Sequence, residues 1–401
     1  MTTPTSQQAR PVPRAGLLLL AVLLAGLNLR GAIAAVSPVL PDIRAELGLT
    51  PTVAGLITTL PVLCFAVLAP PAAWLGRRMG PERAVLAGLL AIAAGTALRV
   101  LDGAPVLLAG TFLVGAGMTA GNVLLPAVTK RDFAERAGTV TGLYTGALAA
   151  GAALTAALTA PVAVLIGWRW ALASWALLAL VAAAVWWAAT RAPRTAHATT
   201  AAAVPTAGGV VWRSAIAWAV TTVLALQSVL YYAVTTWLPT LLVDEVGASL
   251  ASAALAATLF QVLGIPGTLV VPAVLARRRP GAGQSGLGLA VAAVWAVLFA
   301  GLLVAPQAWA LWAVVGGLAQ GAGISLAFTL VVLRARDDAS ARRLSGMAQL
   351  VGYAVGAAGP LVVGAFYSAS GGWGAPLALL LGGAGAYAVA VAVAGRPRTV
   401  G

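Results

Sequence analysis

The sequence predicts an all-α integral membrane protein with twelve transmembrane helices in two pseudo-symmetric six-helix bundles. Three observations carry this. Hydrophobic residues make up 61% of the 401 residues and charged ones 8%, whereas a water-soluble domain holds about 25% charged residues. Apolar runs of the length needed to cross a bilayer, about 20 residues at 1.5 Å rise each, recur twelve times. The 24 Lys and Arg residues fall in short groups between those runs.

In chain order, residues 1–14 read as a disordered cytoplasmic tail. A first bundle over 15–190 holds candidate spans at 15–40, 51–75, 84–101, 105–128, 138–165 and 169–190. The first is too long for a cleaved signal, lacks a small-x-small cleavage site, and is followed by further spans. Residues 191–212, with Arg191, Pro193, Arg194, His197, Pro205 and Gly208, form a polar, turn-rich cytoplasmic linker. A second bundle over 213–395 holds spans at 213–238, 250–276, 286–304, 308–333, 345–367 and 374–395, and 396–401 is a cytoplasmic tail.

Orientation follows from the bases. With the N-terminus in the cytoplasm, twenty of them fall on cytoplasmic segments and three, Arg44, Arg99 and Arg169, outside. The positive-inside rule then places both termini in the cytoplasm of a multi-pass cell-membrane protein. Because the bases form no continuous face, the net charge of +14 reports topology and gives no reason to expect nucleic acid. One cysteine, Cys64, within an apolar run, and one histidine, His197, in a loop give no disulfide framework and no metal-ligand spacing. No cofactor is expected.

The halves resemble each other. The fourth span reads Gly115-Ala116-Gly117 and ends Lys130-Arg131-Asp132; the tenth reads Gly321-Ala322-Gly323 and ends Arg336-Asp337-Asp338. Leu40-Pro41 closes the first span and Leu238-Pro239 the seventh, at a similar offset, as a parallel repeat would give.

With these motifs the chain resembles the major facilitator superfamily. Its loop Leu75-Gly76-Arg77-Arg78-Met79-Gly80-Pro81-Glu82-Arg83 is similar to that superfamily's loop motif, with Arg77 where an Asp is usual. Asn28-Leu29-Arg30, Asn122-Val123-Leu124-Leu125-Pro126, Lys130-Arg131-Asp132-Phe133, Trp237-Leu238-Pro239, Leu344-Ser345-Gly346-Met347-Ala348-Gln349, Gly352-Tyr353 and Gly359-Pro360 together resemble the cyanate and nitroimidazole permease family. The resemblance implies a rocker-switch transporter of small anionic or polar compounds, without fixing the substrate.

Arg30 is the sharpest feature. It stands 16 residues after Arg14 and 12 before Asp42, about 24 Å and 18 Å along a helix, and so cannot reach either interface undistorted. A base at the bilayer centre costs about 2.5–3.5 kcal/mol on insertion scales, so it should face a cavity or a partner. Its neighbours Gly26, Ala34 and Ser37 form a narrow small-residue face of the kind a bundle turns inward. All ten acids fall at span ends or in loops, which leaves two roles: holding a substrate through a planar fork of donors, or capping backbone carbonyls. Asn28, about 200° around the helix, is expected to bond a neighbouring helix instead.

Further candidate substrate contacts are Asn122 and Tyr144 on the fourth and fifth spans, Gln227 and Tyr231 on the seventh, Gln261 on the eighth, and Gln349 and Tyr353 on the eleventh. Each has a bland alternative, an interhelical hydrogen bond of about 0.6 kcal/mol. Trp237 reads as an interfacial belt residue. Gly138, Gly142 and Gly146, like Gly352 and Gly356, are spaced for close helix approach. Gly359-Pro360 and Pro161 should kink their helices, and Arg78, Arg83, Lys130 and Arg131 are candidates, with Gly359 and Pro360, for gating.

No nucleophile, paired base or metal cluster suits an enzyme. The leading reading is a secondary or facilitative transporter, working as a monomer in the lipid bilayer on a small anionic or polar solute. A multidrug efflux permease and a transport-dead receptor are the alternatives. With no titratable group at the midplane, the open mechanisms are facilitated movement or exchange of anions, coupling through a proton on the substrate, and cation coupling through oxygens.

Overall fold

The computed structural model describes residues 13–133, 136–191, 209–277, 283–336 and 338–400. The N-terminal tail before Pro13, most of the linker with Arg194 and His197, and Arg278, Arg279, Glu135 and Asp337 lie outside the described residues. Ten helices are long and apolar enough to cross a membrane, and a bent pair makes an eleventh. The twelfth comes from dividing the long segment α7, Ala137–Thr190. Its 54 residues would run about 81 Å if straight, more than twice a bilayer core. Gly167 breaks it with φ 80° and ψ 156°, a conformation open to glycine alone. Trp175 Nε1 then donates to Thr159 Oγ1 at 2.9 Å, pairing positions equidistant from the turn, so the two arms lie side by side.

The remaining elements follow the expected spans with telling departures. The first span is α1, Pro13–Ala34, a 3-10 turn Ser37–Val39, and α2, Leu40–Leu47. The second is broken by 58° between α3, Pro51–Val67, and α4, Ala69–Met79, because Pro70 and Pro71 have no N–H for the carbonyls four residues back. Next come α5, Pro81–Leu98, and α6, Ala104–Asp132. After α7 and the short α8, Gly209–Trp212, the helix α9, Ala215–Val246, runs through Pro239, where the sequence predicts an end. The eighth span is split into α10, Leu250–Val262, and α11, Gly264–Ala276. Helices α12, Ser285–Val304, α13, Trp309–Arg334, α14, Asp338–Ser370, and α15, Gly374–Ala394, complete the chain. Pro161 and Pro360 lie inside helices that continue through them, and helices are divided at Leu68 and Leu263. Leu165 and Val304 are 81% and 85% exposed, as a surface solvated by lipid requires.

Helices α1–α7 and α9–α15 pack chiefly among themselves and meet along α3–α14, α7–α10, and the Ser37–Val39 turn against α9. The meeting is tight at the end that carries α2. There Thr236 Oγ1 donates to Thr58 Oγ1 at 2.8 Å, Thr59 Oγ1 to Ala357 O at 2.7 Å, and Ser37 Oγ to Thr236 O at 3.5 Å. Trp237, expected in an interfacial belt, is 2% exposed here and donates to Pro360 O at 2.8 Å. The opposite end is open: the chief neighbours of α4 there are α5 and α6 of its own half. Thr141, Gly142, Thr145 and Gly146 of α7 are exposed, with nothing within 4 Å of a side chain added at Gly142 or Gly146. These two glycines therefore do not serve close helix approach, whereas Gly352 and Gly356 do, against Leu224 and Ser228.

Two bases assigned to loops are structural. Arg99, 1% exposed, donates from Nη1 to Ala32 O at 2.9 Å. As α1 tightens, Val36 N turns to Ile33 O, and Arg99 supplies a donor for the Ala32 carbonyl. Arg334, 4% exposed, donates to Ala394 O at 2.7 Å and to Gln284.

Candidate functional site

A small, partly open cavity lies where the halves meet, lined by Arg30 of α1, Gln227, Ser228, Tyr231 and Tyr232 of α9, Gln320 and Ile324 of α13, and Tyr353 of α14. Arg30 is half-buried and its Cζ stands 5.0 Å from the centroid of the Tyr231 ring, a cation–π contact between the two halves. Among the described residues its guanidinium makes no hydrogen bond and no ion pair. Four of the protein's six tyrosines, Tyr144, Tyr231, Tyr232 and Tyr353, lie within electrostatic reach of it. In a bilayer, where unsatisfied polar groups are costly, this leaves a fork of five donors beside the cavity.

The ring under Arg30 is held from behind. Tyr231 OH donates to Gln261 Oε1 at 3.3 Å, and Gln261 Nε2 to Thr235 Oγ1 at 3.4 Å. The Tyr231 ring meets Tyr232 edge-on at 4.9 Å and stacks on Phe260 at 6.0 Å, and the column continues through Trp295 to Phe299. Gln227 is spent on the protein: its Nε2 donates to Gln320 O at 2.9 Å, and its Oε1 accepts from Trp295 Nε1 at 3.1 Å. Gln320 Nε2 donates to Phe260 O at 3.3 Å, and Ser228 Oγ to Leu224 O at 2.8 Å. The hydroxyls of Tyr232 and Tyr353 line the cavity and make no hydrogen bond among the described residues. Among the polar side chains of the lining, those of Arg30, Tyr232 and Tyr353 make no hydrogen bond among the described residues.

Of the eight contacts the sequence nominates, Arg30, Gln227, Tyr231 and Tyr353 line the cavity. Gln261 is a buried brace behind Tyr231. Asn122 accepts from Tyr144 OH at 3.5 Å, and the Tyr144 ring backs on Gly26 of α1, four residues before Arg30. Gln349 stands outside the cavity, exposed and donating to Ser345 Oγ at 2.8 Å. Asn28 bonds Leu24 O of its own helix at 2.8 Å and no neighbouring helix. Gln320, Ser228, Tyr232 and Ile324 complete the lining. Gln320 had a signal in the sequence, as the one amide side chain of α13.

The gating candidates divide between the two ends. Arg131 Nη2 meets Glu82 Oε1 at 2.5 Å and Asp132 Oδ2 at 2.8 Å, an ion pair that joins α5 to α6 within one half. Arg78 lies over the Trp74 ring at 5.2 Å, and Arg83 and Lys130 are exposed. Gly359 and Pro360 stand at the closed end: a side chain at Gly359 would come within 2.8 Å of Val229 O. Arg44 of α2 adds a contact across that end, its Cζ 6.0 Å from the Trp237 ring and 5.8 Å from that of Tyr367. Asp244 accepts from Tyr367 OH and Trp373 Nε1, both at 3.0 Å.

A family model described as Major Facilitator Superfamily matches residues 18–360. The 2-nitroimidazole transporter of Escherichia coli (strain K12) is 36% identical over 377 residues, 94% of this chain and 93% of its own length. The cyanate transport protein CynX of the same organism is 33% identical over 359 residues, 88% of this chain and 91% of its own. The crystal structure of a bacterial homolog to the human lysosomal transporter Spinster, inward-facing and occupied, superposes with a TM-score of 0.77 at 16% identity, covering 96% of this chain and 97% of that one. That last likeness is one of fold.

Proposed function

The chain belongs to the Major Facilitator Superfamily, and on that premise we propose that it moves a small anionic or polar organic solute across the cell membrane by alternating access, with Arg30 as the central contact. That it is a transporter and not an enzyme follows from the family and the relatives. The observation that carries the finer reading is the guanidinium of Arg30 over Tyr231, without a hydrogen bond or ion pair among the described residues, at a cavity also lined by Tyr232 and Tyr353. A planar oxyanion or nitro group meets such a fork bidentately. Both relatives are named for small solutes.

The bundles 15–190 and 213–395 are the rocking units, and the open end faces the cytoplasm together with both termini. Twenty bases on that side support this orientation. The working unit in this reading is the monomer. A thermal-shift screen of the purified protein against cyanate, monocarboxylates and 2-nitroimidazole tests the reading, because a ligand stabilises the state it binds. At least one should raise the melting temperature of the parent protein and none that of Arg30→Ala; equal shifts in both would overturn it.

A further inference from the structure

We infer that the protein is an anion exchanger: a second small anion must occupy the site for the return step, and the empty carrier crosses slowly. This rests on the anion reading of the site proposed above.

Charge at the cavity carries the argument. Arg30 is the one ionised side chain in the lining. Among the described residues Glu82 and Asp132 are paired with Arg131, Glu46 and Asp102 with Arg169, and Asp244 with Tyr367 and Trp373. Asp42, Glu245 and Asp338 sit at helix ends. Among the described residues no carboxylate lines the cavity, so none of them is placed there to neutralise Arg30.

In the state seen here Arg30 is half-buried and keeps some accessible surface, and the Tyr231 ring faces its guanidinium at 5.0 Å. Occlusion must bring α4 and the exposed arm of α7 toward α14 and exclude water. A charge left without water or a counter-ion is strongly disfavoured in a low-dielectric interior. With a monovalent anion on Arg30 the site is neutral, and that penalty is gone. Loaded carrier therefore closes readily and empty carrier does not, which makes flux in one direction depend on an anion travelling in the other. The exchange of two monovalent anions moves no net charge.

Arg77 of α4 and Arg343 of α14 are exposed at the open end, one in each half. Spin labels at Arg77→Cys and Arg343→Cys, in a Cys64→Ala background, report its closure without any ligand. With Arg30 intact the empty protein should show one long separation. Arg30→Gln should raise the short-separation population at least tenfold, and Arg30→Met, which also removes the charge, should do the same. Equal closed populations with and without the charge overturn the inference. In proteoliposomes preloaded with labelled cyanate, external cyanate should speed efflux at least tenfold, and equal rates likewise overturn it. If cyanate neither shifts the melting temperature nor moves, the reading of the site for this anion fails, and the ligand-free separations still decide the inference.

Discussion

Replacing Arg30 by Ala separates a binding role from a structural one. Within the protein the guanidinium contributes one cation–π contact, with Tyr231 at 5.0 Å, an interaction of about 0.5–2 kcal/mol. Opposing it is the cost of holding a base at mid-membrane depth, about 2.5–3.5 kcal/mol on insertion scales and less where a cavity is wet. The second exceeds the first by up to about 3 kcal/mol, so Arg30→Ala should leave ligand-free stability equal to or above that of the parent. The ligand loses far more. Two hydrogen bonds from a charged donor contribute about 1.5–3 kcal/mol each, and at about 1.4 kcal/mol per tenfold their loss weakens binding by at least about 100-fold. Arg30→Lys should also bind poorly, because a point charge does not reproduce the planar fork. The assay is a paired one: melting temperature of purified variants without ligand, and uptake into proteoliposomes. A structural Arg30, holding a buried partner, would instead cost about 3–5 kcal/mol of stability on removal. That loss, or near-normal uptake by Arg30→Ala, would refute the reasoning.

Gly323→Ala places a methyl group on the amide of Gln227. It should displace the bonds to Gln320 O and from Trp295 and lower stability by about 2–4 kcal/mol from overpacking and lost hydrogen bonds; an unchanged melting temperature would count against the brace. Tyr353→Phe removes a cavity hydroxyl with no protein partner and should weaken affinity several-fold. Gln349→Ala, outside the cavity, should leave affinity within about twofold, and titrations of both variants check the contrast. Arg44→Ala removes a cation from between Trp237 and Tyr367. It should increase thiol labelling of a cysteine placed at Thr236 from the α2 side, whereas labelling equal to that of the parent would show that Arg44 does not help hold that end shut.

The membrane spans were legible in the sequence because each is a long apolar run, and Arg30 because it is the one base at mid-span depth. Depth is what hydropathy reports well. Facing it reports poorly, since lipid and helix neighbours are equally apolar. That is why Gln349 and Gln320 exchanged places, one expected in the cavity and exposed, the other unremarked and lining it. It is also why Trp237 and Arg99 read as interfacial and prove buried. Proline does not mark where a helix ends. Pro161, Pro239 and Pro360 sit within helices, while the 58° break follows Val67, ahead of the Pro70-Pro71 pair, where two adjacent donors are missing and one turn cannot absorb the loss.

Hydrogen-bond satisfaction supplies the facing that hydropathy lacks. Gln227, Gln261, Gln320 and Asn28 have the polarity of ligand contacts, yet each bonds a protein partner and so braces a helix or a ring. An idle donor alone does not mark a site either: Arg99 Nε and Nη2 and Tyr387 OH are buried without partners, and neither residue lines the cavity. Idle donors and an adjoining cavity coincide at Arg30, Tyr232 and Tyr353. Arg30 comes from the first half and the two tyrosines from the second, so a solute that engaged all three would bond across the seam between the halves. Its binding energy would then be available to draw together the open ends of α4 and α14.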